Sequence, residues 1–303
     1  MHPSDVVVIG FNTMDLVFTG REALRPDQKV HADSLTQHAG GQGSNAAVDL
    51  AGLGLAVHYV GMFGDDAWGE RVRASMTDAG ITVDGSVTVP DCPNHVAVVA
   101  VDTTSGTRSI VMCKDPRLTA PADLVPSAAL RRTRAFYTDG HEFEASVAAA
   151  ELARSLGVRV FADLEVARED AARLLAHVDE LAAPLEVVRT LAGTDDEAEA
   201  LARVRALGPA VVIATKGADG CTGLDEEGRH FQAAAFPAEV VDSTGAGDAF
   251  HAGFLAARLR GASVQEAAAF GNRAGALKCG HPGPRVPLAA MARLRDQPEG
   301  PAA

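Results

Sequence analysis

A strand-like approach, a turn of small residues and the start of a helix follow one another in Val240-Val241-Asp242-Ser243-Thr244-Gly245-Ala246-Gly247-Asp248-Ala249-Phe250. The pattern predicts a strand over residues 236–241 and a helix over residues 249–259. The first amides of a helix have no intrahelical partner and lie at the positive end of its dipole. The turn therefore suits an anion, and phosphate is the obvious one.

The carboxylate of Asp248 is unexpected in such a turn because it would repel the anion. The carboxylate would have a catalytic role if it accepts a proton from a hydroxyl while the amides bind the phosphoryl group that this hydroxyl attacks. The simpler interpretation is a tight strand-to-helix turn in which the Asp248 charge interacts favourably with the helix dipole. This turn alone leaves both interpretations open.

The rest of the chain alternates between short β-branched runs and Ala- and Leu-rich segments that stop at glycine. This alternation predicts right-handed βαβ crossovers and a buried, mostly parallel sheet, so the fold class is α/β. Besides the elements of the turn, strands are predicted at 6–9, 57–62, 135–138, 158–162, 185–188 and 211–214, and helices at 45–53, 66–79 and 145–156.

Residues 15–38 and 94–112 break this alternation. Both alternate polar and apolar residues without a helical period, and the second stretch is typical of a hairpin. We expect them to pair into a small separate sheet. Such a sheet can act as a lid that excludes water during phosphoryl transfer, and a surface hairpin without that role is the alternative.

The composition excludes several functional classes. The 303 residues carry a net charge of -13 without a Lys/Arg block, and only 5% are aromatic, which argues against nucleic-acid binding. No basic leader or membrane-length apolar segment is present, so we expect a cytoplasmic protein that does not bind membranes. The four widely spaced cysteines predict free thiols rather than disulfides or a zinc site.

A second glycine cluster reads Gly40-Gly41-Gln42-Gly43-Ser44-Asn45-Ala46. Its glycines would let a ligand approach the backbone, and Asn45 offers a donor and an acceptor suited to polyol hydroxyls. N-capping of the helix by Asn45 is the structural alternative.

The same cluster also fits the alanine form of the dinucleotide-binding fingerprint, with Asp65 and Asp66 at about the expected distance. An NAD-dependent oxidoreductase is therefore the alternative from another class. Residues 33–38 do not predict the buried strand that the fingerprint requires, and an oxidoreductase gives the turn before Asp248 no role.

Five motifs occur in order along the chain: Gly10-Phe11-Asn12-Thr13-Met14-Asp15, Gly40-Gly41-x-Gly43-x-Asn45, Val60-Gly61-Met62-Phe63-Gly64-Asp65-Asp66, Thr215-Lys216-Gly217-Ala218-Asp219-Gly220 and Asp242-x-Thr244-Gly245-Ala246-Gly247-Asp248. Together they resemble the ribokinase-like (PfkB) family of sugar and nucleoside kinases over nearly the whole chain. The resemblance implies one kinase domain over residues 1–303 with a three-layer α/β core. It places the lid at insertions of about 13–38 and 93–113, and we expect residues 297–303 to form a disordered tail.

The resemblance implies an ATP-dependent carbohydrate kinase that phosphorylates a primary hydroxyl of a pentose or ketohexose, such as ribose, fructose or a substituted ketose. Asp248 would be the base, and the anion hole would be formed by Gly245, Ala246 and Gly247. The residues expected to bind substrate are Asp15, Gly41, Gln42 and Asn45, with Arg108 as a lid contact for an anionic group. The residues expected to bind the nucleotide are Thr215, Lys216, Gly217, Gly220, Thr244 and Asn272.

Magnesium would bridge the ATP phosphates, and Asp242 and Thr244 fall where some relatives bind potassium. The chain departs from many relatives because it lacks the Asn-x-x-Glu pattern before the nucleotide strand. In the corresponding residues 184–190, Glu186 is the candidate to replace that glutamate, and no protein ligand for magnesium is assigned.

Substrate preference stays open at this point. Residues 267–283 resemble the ketose kinases, including ketohexokinase and sulfofructose kinase, whereas the second glycine cluster resembles ribokinase. A nucleoside kinase is the alternative within the family, although aromatic residues for stacking a base are scarce. Lid sheets of relatives pair between subunits, so a homodimer through the lid is a further expectation.

Overall fold

The computed structural model describes residues 4–21, 27, 29–104 and 108–297, with only the backbone described at residue 108. The predicted tail therefore lies outside the described residues except for Gln297. The strands are β1 (Val6–Ile9), β2 (Thr13–Gly20), β3 (Ser34–Gly40), β4 (Val57–Val60), β5 (Met62–Gly64), β6 (Val87–Val89), β7 (Val96–Asp102), β8 (Arg108–Cys113), β9 (Ala135–Thr138), β10 (Arg159–Asp163), β11 (Glu180–Pro184), β12 (Val211–Thr215), β13 (Cys221–Leu224) and β14 (His230–Ala233).

Helices and strands of the described residues alternate through much of the chain, and the last three helices follow one another without a strand between them. The α-helices are α1 (Gln42–Gly52), α2 (Ala67–Asp78), α3 (Ser127–Leu130), α4 (Phe143–Ser155), α5 (Ala172–Leu175), α6 (Leu185–Ala192), α7 (Glu197–Arg205), α8 (Ala246–Leu259), α9 (Val264–Cys279) and α10 (Leu288–Asp296). No helix among the described residues is long and apolar enough to cross a membrane.

The main sheet has eight strands in the order β14-β13-β12-β11-β10-β9-β1-β4. Six neighbouring strands, β12, β11, β10, β9, β1 and β4, are parallel. Strands β13 and β14 add an antiparallel edge. Alternate residues of β1 belong to different cores: Val6 and Val8 pack with α1, α8 and α9, whereas Val7 and Ile9 pack with α4 and α7. The sheet is thus covered by helices on both faces, which confirms the three-layer α/β prediction.

The two predicted insertions do form a second sheet, in the order β3-β2-β7-β8. Strands β7 and β8 are the predicted antiparallel hairpin, and β2 joins the insertions by pairing parallel with β7. Val17, Ala97 and Val99 form a small buried cluster on this sheet. Most of β3 is exposed, so it is not the buried strand that a dinucleotide fingerprint requires.

The prediction of a strand over residues 185–188 is wrong. These residues begin helix α6, and the neighbouring strand is β11, which ends at Pro184. Val187 and Val188 are buried while Glu186 and Arg189 are more exposed, which is the one-sided burial of a helix. A short apolar run cannot by itself distinguish a strand from a helix.

The strand predicted over residues 236–241 is also absent. This segment has no regular secondary structure, and Phe236, Val240 and Val241 are 53%, 67% and 61% exposed. Pro237 has no amide to give to a sheet ladder, and the segment instead rejoins the core where the Val241 amide bonds the Cys279 carbonyl. The sheet ends at β14, so α8 follows an irregular segment rather than a strand.

Candidate active site

The start of α8 is a glycine turn with unpaired backbone donors. Gly245 adopts a left-handed conformation (φ 77°, ψ 5°), and a Cβ there would lie 1.9 Å from the Pro284 carbonyl oxygen. The amides of Gly245, Gly247 and Asp248 have no hydrogen-bond partner within the described part of the chain. Unpaired amides at the positive end of a helix can bind an anion.

Asp248 lies in the first turn of α8 with a nearly buried carboxylate, 4% exposed. Its Oδ2 accepts a hydrogen bond of 2.8 Å from Asn45 Nδ2. Burial raises the pKa of Asp248 well above its ordinary value, the negative charges of Glu165 and Asp163 raise it further, and the bond from Asn45 opposes the rise. A carboxylate in this setting has increased affinity for a proton.

Arg285 fixes the orientation of Asn45. Its Nε donates to Asn45 Oδ1 over 2.9 Å, its Nη1 donates to Ser75 Oγ over 3.0 Å, and its Nη2 donates to Ser44 Oγ. Because the Asn45 oxygen is occupied by a cation, its amide nitrogen faces Asp248. Burial lowers the pKa of Arg285 to about 10.

Asn45 therefore does not cap α1. The N-cap is Gly41, which makes no side-chain cap, so the capping alternative is wrong. Gly41 has φ 93°, and a Cβ there would lie 2.5 Å from the Asn12 Cα. The glycine cluster thus lets α1 begin directly against the chain that follows β1.

Asp139 holds the elements around this helix start together. Its Oδ2 accepts from the amides of Phe11 (2.7 Å) and Gly43 (2.8 Å), and its Oδ1 accepts from the amide of His141 (3.0 Å). These residues follow β1, open α1 and follow β9. The carboxylate therefore aligns the chain beyond the carboxyl ends of two neighbouring strands, where ligands of parallel α/β sheets bind.

Asp15 is the second buried carboxylate on the substrate side. It lies in β2 opposite β3, where Gly40 makes room: a Cβ at Gly40 would lie 2.2 Å from Asp15 Oδ2. Oδ1 is buried without a hydrogen-bond partner among the described residues. Burial raises the pKa of Asp15 to about 7, although Arg285 opposes the rise. An acceptor oxygen without a donor suits a hydroxyl of a bound ligand.

Replacing Asp15 with asparagine is expected to stabilise the free protein at high pH. The raised pKa means that the folded state keeps a proton that the unfolded chain releases between about pH 4 and 7, so folding stability falls with rising pH across that window. Asp15→Asn removes this loss, up to about 4 kcal/mol at pH 8 and near zero at pH 4. Melting temperatures from pH 4 to 9 measure it, with exposed Asp123→Asn as the control; parallel curves for Asp15→Asn and wild type would contradict it.

Gln42 joins a cluster of rings. Its Oε1 lies 2.8 Å from His141 Nε2, and the ring of Phe11 is 5.1 Å from that of His141 and 4.9 Å from that of His95. The Lys114 ammonium lies 4.3 Å from the centre of the Phe11 ring. The motifs did not predict this cluster, because its members come from five separate segments. The side chain of Arg108 lies outside the described residues.

Except for Thr244, which lies in the turn before α8, the predicted nucleotide residues form a separate group around the end of β12. The Lys216 amide bonds the Gly220 carbonyl, and Gly220 has φ 80° with its Cα close to the Ala233 carbonyl. Asn272 Nδ2 donates to the carbonyls of Ala233 and Ala234, so this amide group fastens α9 to the chain after β14. Thr215 ends β12, and Gly217 opens the turn that follows it.

Two carboxylates lie near Asp248, those of Asp163 and Glu165, and their negative charges raise its pKa. Asp163 ends β10 and its Oδ2 accepts from Tyr137 Oη, whereas its Oδ1 is buried without a hydrogen-bond partner among the described residues. His251 Nδ1 lies 2.7 Å from the same Oδ2, outside hydrogen-bond geometry. With Glu165, Asp163 fits a cation that takes its other ligands from phosphate and water. The described residues contain no group of three or more metal-binding side chains, and Glu186 lines a surface pocket with Arg189 and Thr190.

The fold places the unpaired amides of α8 beyond the carboxyl ends of the parallel strands, which is where α/β proteins commonly bind ligands. The model of the pfkB family carbohydrate kinases matches residues 3–291, so the chain belongs to this family. It is a phosphotransferase with an alcohol acceptor, and the family assignment rules out the alternative of an NAD-dependent oxidoreductase.

Known proteins agree with this assignment. The chain is 26% identical over 276 residues to a nucleoside kinase of Methanothermobacter thermautotrophicus, covering 88% of this chain and 87% of that protein. It is 28% identical over 280 residues to a ribokinase of Bacillus subtilis, covering 90% and 92%. The Arabidopsis thaliana ribokinase solved with ribose and ATP has a TM-score of 0.81 at 24% identity, covering 98% of this chain and 100% of that one.

Proposed function

We propose that this chain transfers the γ-phosphoryl group of ATP to a primary hydroxyl of a pentose or ketohexose. The observation that carries the proposal is the position of Asp248. Its buried carboxylate, with a raised pKa, belongs to the same helix turn as the unpaired amides of Gly245 and Gly247. Donors for a phosphoryl group next to an acceptor for a proton are the two requirements for phosphorylating an alcohol.

Substrate hydroxyls bind to Asp15 and Asn45 in this proposal. The partnerless Oδ1 of Asp15 accepts from one hydroxyl, and Asn45 lies between Arg285 and Asp248, where an acceptor hydroxyl must also reach. Because the hydroxyl is held near the phosphorus, the reaction no longer depends on a bimolecular encounter of the two groups. Asn45 occupies Oδ2 of Asp248, which leaves Oδ1 for the hydroxyl proton.

In the proposed transfer step, one bond to the γ-phosphorus forms as another breaks. The hydroxyl oxygen bonds to the γ-phosphorus while the bond from that phosphorus to the β–γ bridging oxygen breaks, and ADP leaves with the electron pair. The hydroxyl proton passes to Asp248, and the helix-start amides hold the equatorial oxygens of the phosphoryl group. Asp163 and Glu165, together with the phosphates, would hold magnesium, which would supply positive charge for the phosphate oxygens that become more negative.

ATP binds along the ends of β12 and α8 in this proposal. Support comes from the open turn at Gly217, where a Cβ would meet nothing within 4 Å, and from Lys216, which is paired only loosely with Glu197 at 3.6 Å. The small sheet acts as the lid over the acceptor. Its exposed apolar residues support a homodimer through the lid: Leu35, Ile110, Val111 and Met112.

A nucleoside is the second candidate acceptor. The ring of Phe11, stacked on His95 and tilted against His141, supplies an aromatic surface, although the scarcity of aromatic residues in the sequence argued against a base. A substrate with a planar base would place that base against these rings and its ribose towards Asp15. The sugar proposal remains the first because Asp15 and Asn45 suit hydroxyls.

The test is ADP release from Mg-ATP with ribose, fructose, tagatose, 6-phospho and 6-sulfo ketoses, and nucleosides. We expect turnover with a sugar at least about tenfold above that with any nucleoside, a preference worth about 1.4 kcal/mol. The Asp248→Asn variant is the negative control. Turnover with nucleosides alone would replace the first candidate by the second, and ADP release without any acceptor would contradict both.

A further inference from the structure

Lys278 is a fully buried lysine of α9, 0% exposed, whose ammonium lies beneath the turn that precedes α8. Its Nζ donates to the carbonyl oxygens of Asp242 (2.8 Å) and His281 (2.9 Å). Neither bond is to a carboxylate, so the ammonium is held as a cation by backbone dipoles. Burying a charge in this way is costly, so its presence is weak evidence for a stabilising role.

Several negatively charged groups lie near the ammonium of Lys278. Burial lowers the pKa of its ammonium, whereas the charges of Asp242, Cys279, Asp49 and Asp248 favour the protonated form. Asp49 is itself buried in α1, and burial raises its pKa to about 7, although Arg285 and the Val286 backbone oppose the rise. The ammonium therefore offsets part of the negative charge that collects behind the anion site.

Both carbonyls that Lys278 binds belong to walls of the proposed phosphoryl site. Asp242 lies three residues before Gly245, and its carboxylate accepts from the amides of Thr244 (2.8 Å) and Gly283 (2.9 Å). His281 begins the loop whose Pro284 carbonyl packs against Gly245. One ammonium thus joins the turn before α8 to the loop after α9, and the relative position of these two segments sets the direction of the amides.

The same contacts bear on potassium. Backbone carbonyls are ligands that a monovalent cation also uses, and the Asp242 carbonyl already bonds Nζ of Lys278. Both oxygens of the Asp242 carboxylate are engaged by amides as well. The Asp242 carbonyl and carboxylate therefore already have donors, and Nζ of Lys278 supplies the positive charge that a potassium ion would otherwise bring.

We propose that Lys278 is a tethered substitute for a monovalent cation, a positioning residue that aligns the anion-binding amides and makes the enzyme independent of potassium. The proposal rests on the proposed function for its kinetic consequence only. The structural consequence, a cation-binding space created when the ammonium is removed, holds whatever the substrate.

The first experiment measures wild-type kcat at constant ionic strength in KCl, NH4Cl, NaCl and choline chloride. We expect kcat to vary by less than about twofold, because no cation site is left to fill. Activation by potassium of more than about fivefold over choline would overturn the proposal without the need for any variant.

The second experiment uses Lys278→Ala, which leaves a space, and Lys278→Met, which fills it without a charge. In choline we expect both to lose about 10²-fold or more in kcat, as when an oxyanion donor is lost. Ammonium or potassium should restore Lys278→Ala by about tenfold or more and Lys278→Met by less than about twofold. A folded Lys278→Ala that no cation restores, or that stays fully active in choline, would overturn the proposal.

Thermal unfolding provides a readout that does not depend on catalysis. The melting temperature of Lys278→Ala without substrates should rise with ammonium or potassium relative to choline, whereas that of wild type should not, because a ligand that binds only the folded state stabilises it. Equal responses in the two proteins would overturn the proposal. If wild type has no kinase activity, this comparison still tests the cation space, so the two proposals can fail separately.

Discussion

Asp248→Asn is expected to lower kcat by about 10²–10⁴-fold, the usual contribution of a positioned general base. The asparagine has the same shape and can still accept the hydrogen bond from Asn45, but it cannot take a proton from the acceptor hydroxyl. The amides of the α8 turn are unchanged, so the affinity for Mg-ATP should stay within about threefold of wild type. Steady-state kinetics and calorimetric titration of ATP measure the two quantities.

The same substitution should increase stability, which separates loss of a base from misfolding. The pKa of Asp248 is raised in the folded state, so ionisation of the carboxylate above its ordinary pKa costs folding stability that the neutral amide avoids. The gain should be present at pH 8 and disappear near pH 4.

Asp225→Asn is the matched control for Asp248→Asn. Asp225 is also buried, 1% exposed, but it lies in the β13–β14 turn and accepts from the Arg229 amide and guanidinium. This variant should lose stability and keep its kcat. Near-normal turnover in Asp248→Asn, or an equal loss in both variants, would contradict the role of Asp248.

Gly245→Ala is expected to lower kcat by about 10²-fold or more and to destabilise the protein by about 1–3 kcal/mol. The added Cβ would lie 1.9 Å from the Pro284 carbonyl oxygen, closer than atoms can approach, in a residue at φ 77°. Either the turn or the loop that carries Arg285 must move. The first movement misdirects the amides, and the second loosens the contact between Arg285 and Asn45.

Gly261→Ala separates the clash from the backbone strain. Gly261 follows the other end of α8 at φ 92°, and a Cβ there would meet nothing within 4 Å. It should cost about 1–2 kcal/mol in stability because a side chain disfavours that conformation, with kcat unchanged. Unfolding in urea and kinetics on both variants check this, and equal kinetic effects would show that strain alone explains Gly245.

The fold could be predicted from the sequence where the signal was local. The β-branched runs before glycine turns gave β1, β9 and β12 closely, and the non-helical insertions gave the second sheet. The failures at residues 185–188 and 236–241 have the same cause. Both are short apolar runs, and only tertiary packing decides whether such a run pairs with a sheet, begins a helix or stays exposed.

The site could be predicted only in part for a similar reason. The sequence motifs indicated Asn45 and Asp248 separately, and the fold brings them to hydrogen-bond distance although they are 203 residues apart. Arg285 was missed because its partners Asn45 and Ser44 lie 240 and 241 positions away, and a single arginine in a Gly-Pro loop has no local signature. Lys278 lies within residues 267–283, where the sequence analysis assigned it no role, since nothing local indicates that it is buried.

The most direct measurement is the phosphorus NMR spectrum of the product formed from Mg-ATP and whichever acceptor gives turnover. If Asp248 is the base for transfer to a primary hydroxyl, the product is a phosphomonoester whose phosphorus couples to the two protons of a CH2 group. The same reaction with Asp248→Asn should give no such signal. A phosphorus coupled to a single proton, or release of inorganic phosphate alone, would contradict the proposed reaction.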